Sequence, residues 1–163
     1  MLLDVDGVIN AMRPPWDDTD RAKCHGLTIR WAPPAVARLR ALHDAGLVEA
    51  RWCTTWCGFP DQLASLQDVL DLKLASAFGD RPASKTWGDL KVEAAIAVLA
   101  EGRRLVWVDD GEVDAGRRLF PAVAESEADG RALLVQPESL YGLTAEHLDE
   151  IEVFARGELD EAA

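Results

Sequence analysis

Long apolar runs are missing from these 163 residues. No stretch reaches the roughly eighteen uncharged residues that a bilayer-spanning helix needs, so no membrane segment is expected. The opening MLLDVDG lacks the basic region and extended apolar core of a secretory signal, which makes a cytoplasmic protein the expectation. Cysteine is scarce as well. Cys24, Cys53 and Cys57 are odd in number, and one Cys-x-x-x-Cys spacing without a second pair is a poor zinc site, so reduced thiols are expected rather than a metal or a disulfide framework. Of three histidines, His25 beside Cys24 reads as a loop residue, and His43 and His147 as surface residues of helical segments. Basic charge is also short: 17 basic against 29 acidic residues give a net charge of −12, which opposes loose capture of DNA or RNA but leaves room for a local basic groove.

What is present is ordinary globular material, 48% apolar and 28% charged, without repeats, low-complexity tracts or linkers. The expectation is a single domain over 1–157 with a frayed tail at 158–163. Leu2 to Val5 reads as a strand, and AMRPPWDDTDRAKCHGLTIRWAPP as a loop holding one hairpin. PPAVARLRALHDAG has Val36, Leu39 and Leu42 at helical spacing, prolines at its start and Gly46 at its end. LVEARWC is a strand running into Thr54 and Thr55, PDQLASLQDVLDL and LKVEAAIAVLAEG are helices, and RLVWVDDG and RALLVQP are strands. A last helix, TAEHLDEIEVFARG, has Thr144 placed to cap it. Strands alternating with helices predict a mostly parallel central sheet covered on both faces, a Rossmann-like three-layer α/β sandwich.

Such sheets bind ligands beyond the carboxyl ends of their strands, where residues distant in sequence meet. Three strands end on reactive groups: LLDVD on Asp4 and Asp6, RWCTT on Thr54 and Thr55, and VWVDD on Asp109 and Asp110, with Asp114 extending the last as Asp-x-x-x-Asp. Carboxylates crowded together repel unless a cation neutralises them, and an all-oxygen donor set points to Mg²⁺. The ion would offset phosphate charge, a threonine hydroxyl and a lysine would hold phosphoryl oxygens, an aspartate would attack phosphorus, and a second acid would serve as acid and base.

In these residues the chain resembles the haloacid dehalogenase-like hydrolases. DVDGVIN matches their first motif, which implies Asp4 as nucleophile and metal ligand, and Asp6 as acid/base with its backbone carbonyl on the metal. WCTTW matches the second, most naturally at Thr54, and VWVDDGEVD the fourth, with Asp110 as direct metal ligand and Asp109 and Asp114 as its support. The third motif, a lysine, falls at Lys91 at the helix start, with Lys85 in SKTWGD as the alternative. The whole pattern, closing on GLTAEHLDEI, is similar to the phosphatase-like domain of bacterial Swiss Army Knife RNA repair proteins.

The resemblance implies a Mg²⁺-dependent phosphatase working through an aspartyl phosphate. The segments between motifs are too short for a large cap, so an open site is expected, with a nucleic-acid terminal phosphate or a nucleotide as substrate. Asp-x-Asp pairs also serve two-metal nucleases and metal-dependent transferases, and a non-catalytic binding module is the alternative outside enzymes. Trp52 and Trp107 read as core and Trp56 as core or pocket wall. Thr55 reads as a turn or cap residue, Asp17, Asp18 and Asp20 as solvated, and Arg13, Arg30, Arg103 and Arg104 as candidates to meet phosphates.

Overall fold

The computed structural model describes residues 1–157. In chain order the elements are β1 (Leu2–Leu3), β2 (Asp20–Cys24), β3 (Leu27–Trp31), α1 (Pro33–Asp44), β4 (Arg51–Trp52), a 3₁₀ turn (Thr55–Gly58), α2 (Pro60–Leu70) and β5 (Ala75–Ser76). There follow α3 (Trp87–Ala100), β6 (Leu105–Val108), α4 (Glu112–Leu119), α5 (Pro121–Ala128), β7 (Ala132–Val135) and α6 (Ala145–Arg156). Five strands form a parallel sheet in the order β5-β4-β1-β6-β7, and β2 and β3 form a separate antiparallel hairpin.

Strand side chains alternate between two faces, both covered in the central part of the sheet, which is why β1, β6 and β7 are apolar throughout. Leu2, Leu105, Trp107, Ala132 and Leu134 pack with Val92, Ala95 and Leu99 of α3, Val113 of α4 and Val123 of α5. Leu3, Trp52, Val106, Val108 and Val135 pack on the other side with Leu39 of α1, Leu66 of α2 and Ile151 of α6. The result is the expected three-layer α/β sandwich, Rossmann-like in its parallel sheet. Among the described residues no helix is long and apolar enough to cross a membrane.

The expected hairpin in the first loop forms. Its two-residue turn, His25-Gly26, has φ of 47° and 82°, the left-handed pair that matches the twist of the flanking strands. Ala22, Cys24, Ile29 and Trp31 turn inward, and Cys24, Ile29 and Trp31 join the core. Thr144 caps α6 as expected, its hydroxyl accepting from the His147 N–H at 3.3 Å, while His147 Nδ1 accepts from the Thr144 N–H at 3.2 Å.

Several boundaries differ from the sequence expectation. The first strand ends at Leu3 rather than Val5, because the Val5 carbonyl is claimed by the N–H groups of Val8, Ile9 and Asn10 in a tight turn. The strand expected over LVEARWC contracts to Arg51–Trp52. α3 starts at Trp87, not Leu90, with Thr86 and Asp89 closing a capping box. Between β6 and β7 stand two helices that were not expected, separated where Phe120 is extended and Pro121 opens α5. The tail expected to fray lies outside the described residues.

Candidate active site

Because β1 and β6 are paired, Leu3 beside Val108, the residues that follow them emerge side by side. The Asp4 N–H continues the ladder to the Val108 carbonyl at 3.0 Å, and the Asp109 N–H reaches the Val135 carbonyl at 3.2 Å. Two carboxylates are thereby brought together under the sheet's carboxyl edge. Lys91, from the second turn of α3, inserts its ammonium between them, 2.5 Å from Asp4 Oδ2 and 2.6 Å from Asp109 Oδ2. All three are buried, with exposures of 5% for Asp4, 6% for Lys91 and 1% for Asp109.

Burial pushes the Asp4 carboxyl up to about 7; the Lys91 ammonium pulls it down and the Asp109 charge pushes it up again. For Lys91 burial works against the charge, but its two carboxylate partners outweigh it and hold the ammonium above its ordinary range. Carboxylate oxygens of Asp4, Asp109 and Asp110 lie within 4.8 Å of one another.

Asp109 and Asp110 differ in what their oxygens do. Asp109 Oδ1 accepts from the N–H groups of Gly111 and Glu112 at 2.9 and 2.7 Å, and Oδ2 from Lys91. It therefore binds the start of α4 to the site. The Asp110 carboxylate has no hydrogen-bond or ion-pair partner among the described residues and rests against Gly7. Gly7 has φ of 75°, and a Cβ there would lie 2.1 Å from Asp110 Oδ2. Glycine is required twice, by the backbone and by the neighbouring acid.

Asp6 leaves the same turn on the solvent side. Its Oδ1 accepts from Asn10 Nδ2 at 2.7 Å and its Oδ2 from the Trp56 indole N–H at 2.9 Å. Trp56 is buried in the core, one of the two readings its sequence position allowed, and its indole N–H also reaches an acid of the first motif. Thr54 is buried, its hydroxyl 3.5 Å from the Trp56 N–H as cap of the 3₁₀ turn. Thr55 opens that turn, as read from the sequence, and also lines the cleft. The cleft is an open one of about 690 Å³, with Asp4, Asp6, Gly7 and Asp110 on its floor and Thr28 and Arg30 of the hairpin on its flank.

Other expected residues fall elsewhere. Asp114, expected to support the metal, sits on the outer side of α4, half-exposed and facing Arg117 and Arg118, outside the three-carboxylate cluster. A spacing of four residues across the start of a helix carries the side chain away from the strand end. Lys85 pairs with Glu93, 2.7 Å away on the exposed side of α3. Arg103 pairs with Glu49, and the Arg104 guanidinium lies 4.0 Å from the Phe154 ring centroid, so both are engaged away from the cleft. Trp52 and Trp107 are fully buried.

The fold and site together define a Rossmann-like α/β domain that gathers an aspartate cluster and a buried lysine at the carboxyl edge of its parallel sheet. The model of one family, the HAD domain in Swiss Army Knife RNA repair proteins, matches residues 1–148, from β1 into α6, and the chain belongs to that family. It is therefore a HAD-type hydrolase domain, with an RNA-repair context. Comparison with curated proteins and with solved structures gave no match.

Proposed function

We propose that this domain is a Mg²⁺-dependent phosphomonoesterase that removes terminal phosphates from nucleic acid through a phosphorylated Asp4. The observation that carries the reading is the meeting of the Asp4, Asp109 and Asp110 carboxylates, the first two bridged by Lys91, beside an open cleft that Asp4 and Asp110 line.

The donor set fits a hard cation, since every ligand atom in the cluster is oxygen and Asp110 offers a carboxylate without a partner among the described residues. Asp4, Asp110 and the backbone carbonyl of Asp6 would hold the ion, and Asp109, already committed to Lys91 and α4, would support it through charge. Once bound, Mg²⁺ would neutralise phosphoryl oxygens and lower the cost of bringing an anion to an acidic site.

The chain's own groups carry the two steps. A carboxylate oxygen of Asp4 attacks phosphorus, the ester bond breaks, and the leaving oxygen takes a proton from Asp6. Asp6, then anionic, accepts a proton from water as its oxygen attacks phosphorus, and phosphate departs with Asp4 restored. Asn10 and Trp56 keep Asp6 aimed throughout. Lys91 opposes the protonation that burial and Asp109 favour at Asp4, and the Thr54–Thr55 corner receives phosphoryl oxygens. Among the described residues the β2–β3 hairpin is the one cap-like element that flanks the cleft, which suits a phosphate at the end of a bulky polymer.

Beryllium fluoride with Mg²⁺ tests the covalent step, because it forms an acyl-phosphate mimic on a nucleophilic aspartate. A bound ¹⁹F signal is expected for the wild type and none for Asp4→Asn. A wild type that releases phosphate from ends without forming the adduct would favour a two-metal mechanism instead.

A further inference from the structure

The outward face of the hairpin is cationic in a chain of net charge −12. Antiparallel pairing sets Arg21 opposite Arg30 and Lys23 opposite Thr28, so these four side chains share one face, while Ala22 and Ile29 occupy the other. Like charges directly opposite on a two-stranded ribbon are unfavourable. None of the three cations is ion-paired among the described residues: Arg30 donates to the Met12 carbonyl at 2.6 Å and Lys23 to the Thr28 hydroxyl at 2.7 Å. A face that keeps such a pair unneutralised is built for an anion.

That face is continuous with the catalytic cleft. Thr28 and Arg30 flank the cleft that holds Asp4, and Arg30 also borders a second depression of about 380 Å³, with Thr19, Asp20 and Arg21. Among the described residues Asp20 is the one acid lining it, and its Oδ1 accepts from the Arg21 N–H at 2.7 Å. Arg21 and Lys23 stand two residues apart, roughly 7 Å along the strand, a repeat that suits successive phosphates of an extended nucleic-acid strand. A small phosphate ester in the cleft would leave this row untouched.

We infer that the β2–β3 hairpin is a backbone-binding subsite: Arg30, Arg21 and Lys23 hold the phosphodiesters that lead away from the terminal phosphate of a single RNA strand. The inference deepens the proposed function by making the substrate an oligonucleotide rather than a mononucleotide, and it rests on that reading for the placement of the terminal phosphate at Asp4.

The test is equilibrium binding of a fluorescein-labelled single-stranded RNA decamer with a terminal phosphate, followed by anisotropy across a salt series. It needs no turnover, so a protein that binds the decamer but releases no phosphate would sink the proposed phosphatase and leave the subsite standing. Arg21→Ala with Lys23→Ala is expected to weaken decamer binding on the order of tenfold and to flatten the log K against log salt slope by about 1.4, two contacts at 0.7 each for a single strand. Arg21→Lys is expected to keep most of the affinity. Both positions are exposed, and an unchanged melting temperature shows that the variant is folded. Equal affinity of wild type and double variant would overturn the inference. So would a mononucleotide that binds as tightly as the decamer, or a phosphoserine peptide that competes as well as RNA.

Discussion

The Asp110 carboxylate occupies the space that a side chain at residue 7 would need: a Cβ on Gly7 would lie 2.1 Å from Oδ2 and 2.3 Å from Cγ. The turn glycine of the first motif and the acid of the fourth thus fit only each other. Gly7→Ala must displace Asp110 and also hold φ near 75°, which costs an L-residue about 1–2 kcal/mol. The expected result is a modest fall in melting temperature with a much larger rise in the Mg²⁺ concentration needed for half-maximal activity. Wild-type Mg²⁺ dependence in this variant would show that Asp110 is no ligand.

Lys91 and Asp4 are expected to fail in different ways. Lys91→Met leaves the Asp4 and Asp109 carboxylates buried side by side without their shared cation, and breaking a buried pair in this way costs about 3–5 kcal/mol. Asp4→Asn removes one of two like charges and leaves Lys91 paired with Asp109, so its stability should stay close to wild type. Its phosphate release should fall by at least about 10³-fold. Lys85→Ala loses only a surface pair with Glu93 and should keep full activity. Chemical denaturation beside a phosphate-release assay reads all three, and a Lys85 variant as impaired as the Lys91 variant would reverse the assignment.

How much of this was legible beforehand follows from where each signal lies. The acids of DVDG and VWVDD could be read because a strand end is marked by its own apolar run, and pairing of β1 with β6 then brings them together. α4 and α5 escaped because each is eight residues long and buries one large apolar side chain, Val113 or Val123, too few to set a helical period. The true start of α3 did carry a local signal, Thr86 with Asp89 three residues on. The bond between Trp56 and Asp6 had none, since its partners are 50 residues apart and an indole beside a strand end reads equally well as packing.

Proton and metal should compete at Asp4. Its carboxyl is raised from 3.8 to about 7 by burial, so between those values the folded state holds a proton that the unfolded chain releases. Stability from this group is full below about 3.8 and is lost as pH rises through about 7. Lys91 is raised too, and its contribution persists to pH values above this window. Metal-free protein should therefore lose stability from pH 5 to pH 8, and Mg²⁺ should restore more at pH 8 than at pH 5, because it binds the ionised carboxylate. Thermal melts at both pH values with and without Mg²⁺ check this, and equal Mg²⁺ stabilisation at the two would remove Asp4 from the ligand set.

Trp56→Phe isolates the orientation of Asp6. The ring keeps most of the buried surface, and the substitution deletes the indole N–H that donates to Asp6 Oδ2 at 2.9 Å. Asn10 still holds Oδ1, so the carboxyl stays near the cleft but gains a rotational degree of freedom. A hydrogen bond to a charged group is worth about 1.5–3 kcal/mol, and if it is needed equally to give and to take a proton, kcat should fall about ten- to hundredfold. Substrate binding does not use this bond, so KM should move little. Leaving groups of low pKa need less protonation, so an activated aryl phosphate should lose less in the first step than an alkyl phosphate. A uniform loss across leaving groups would mean that Trp56 merely packs the corner and that Asp6 does not donate the proton.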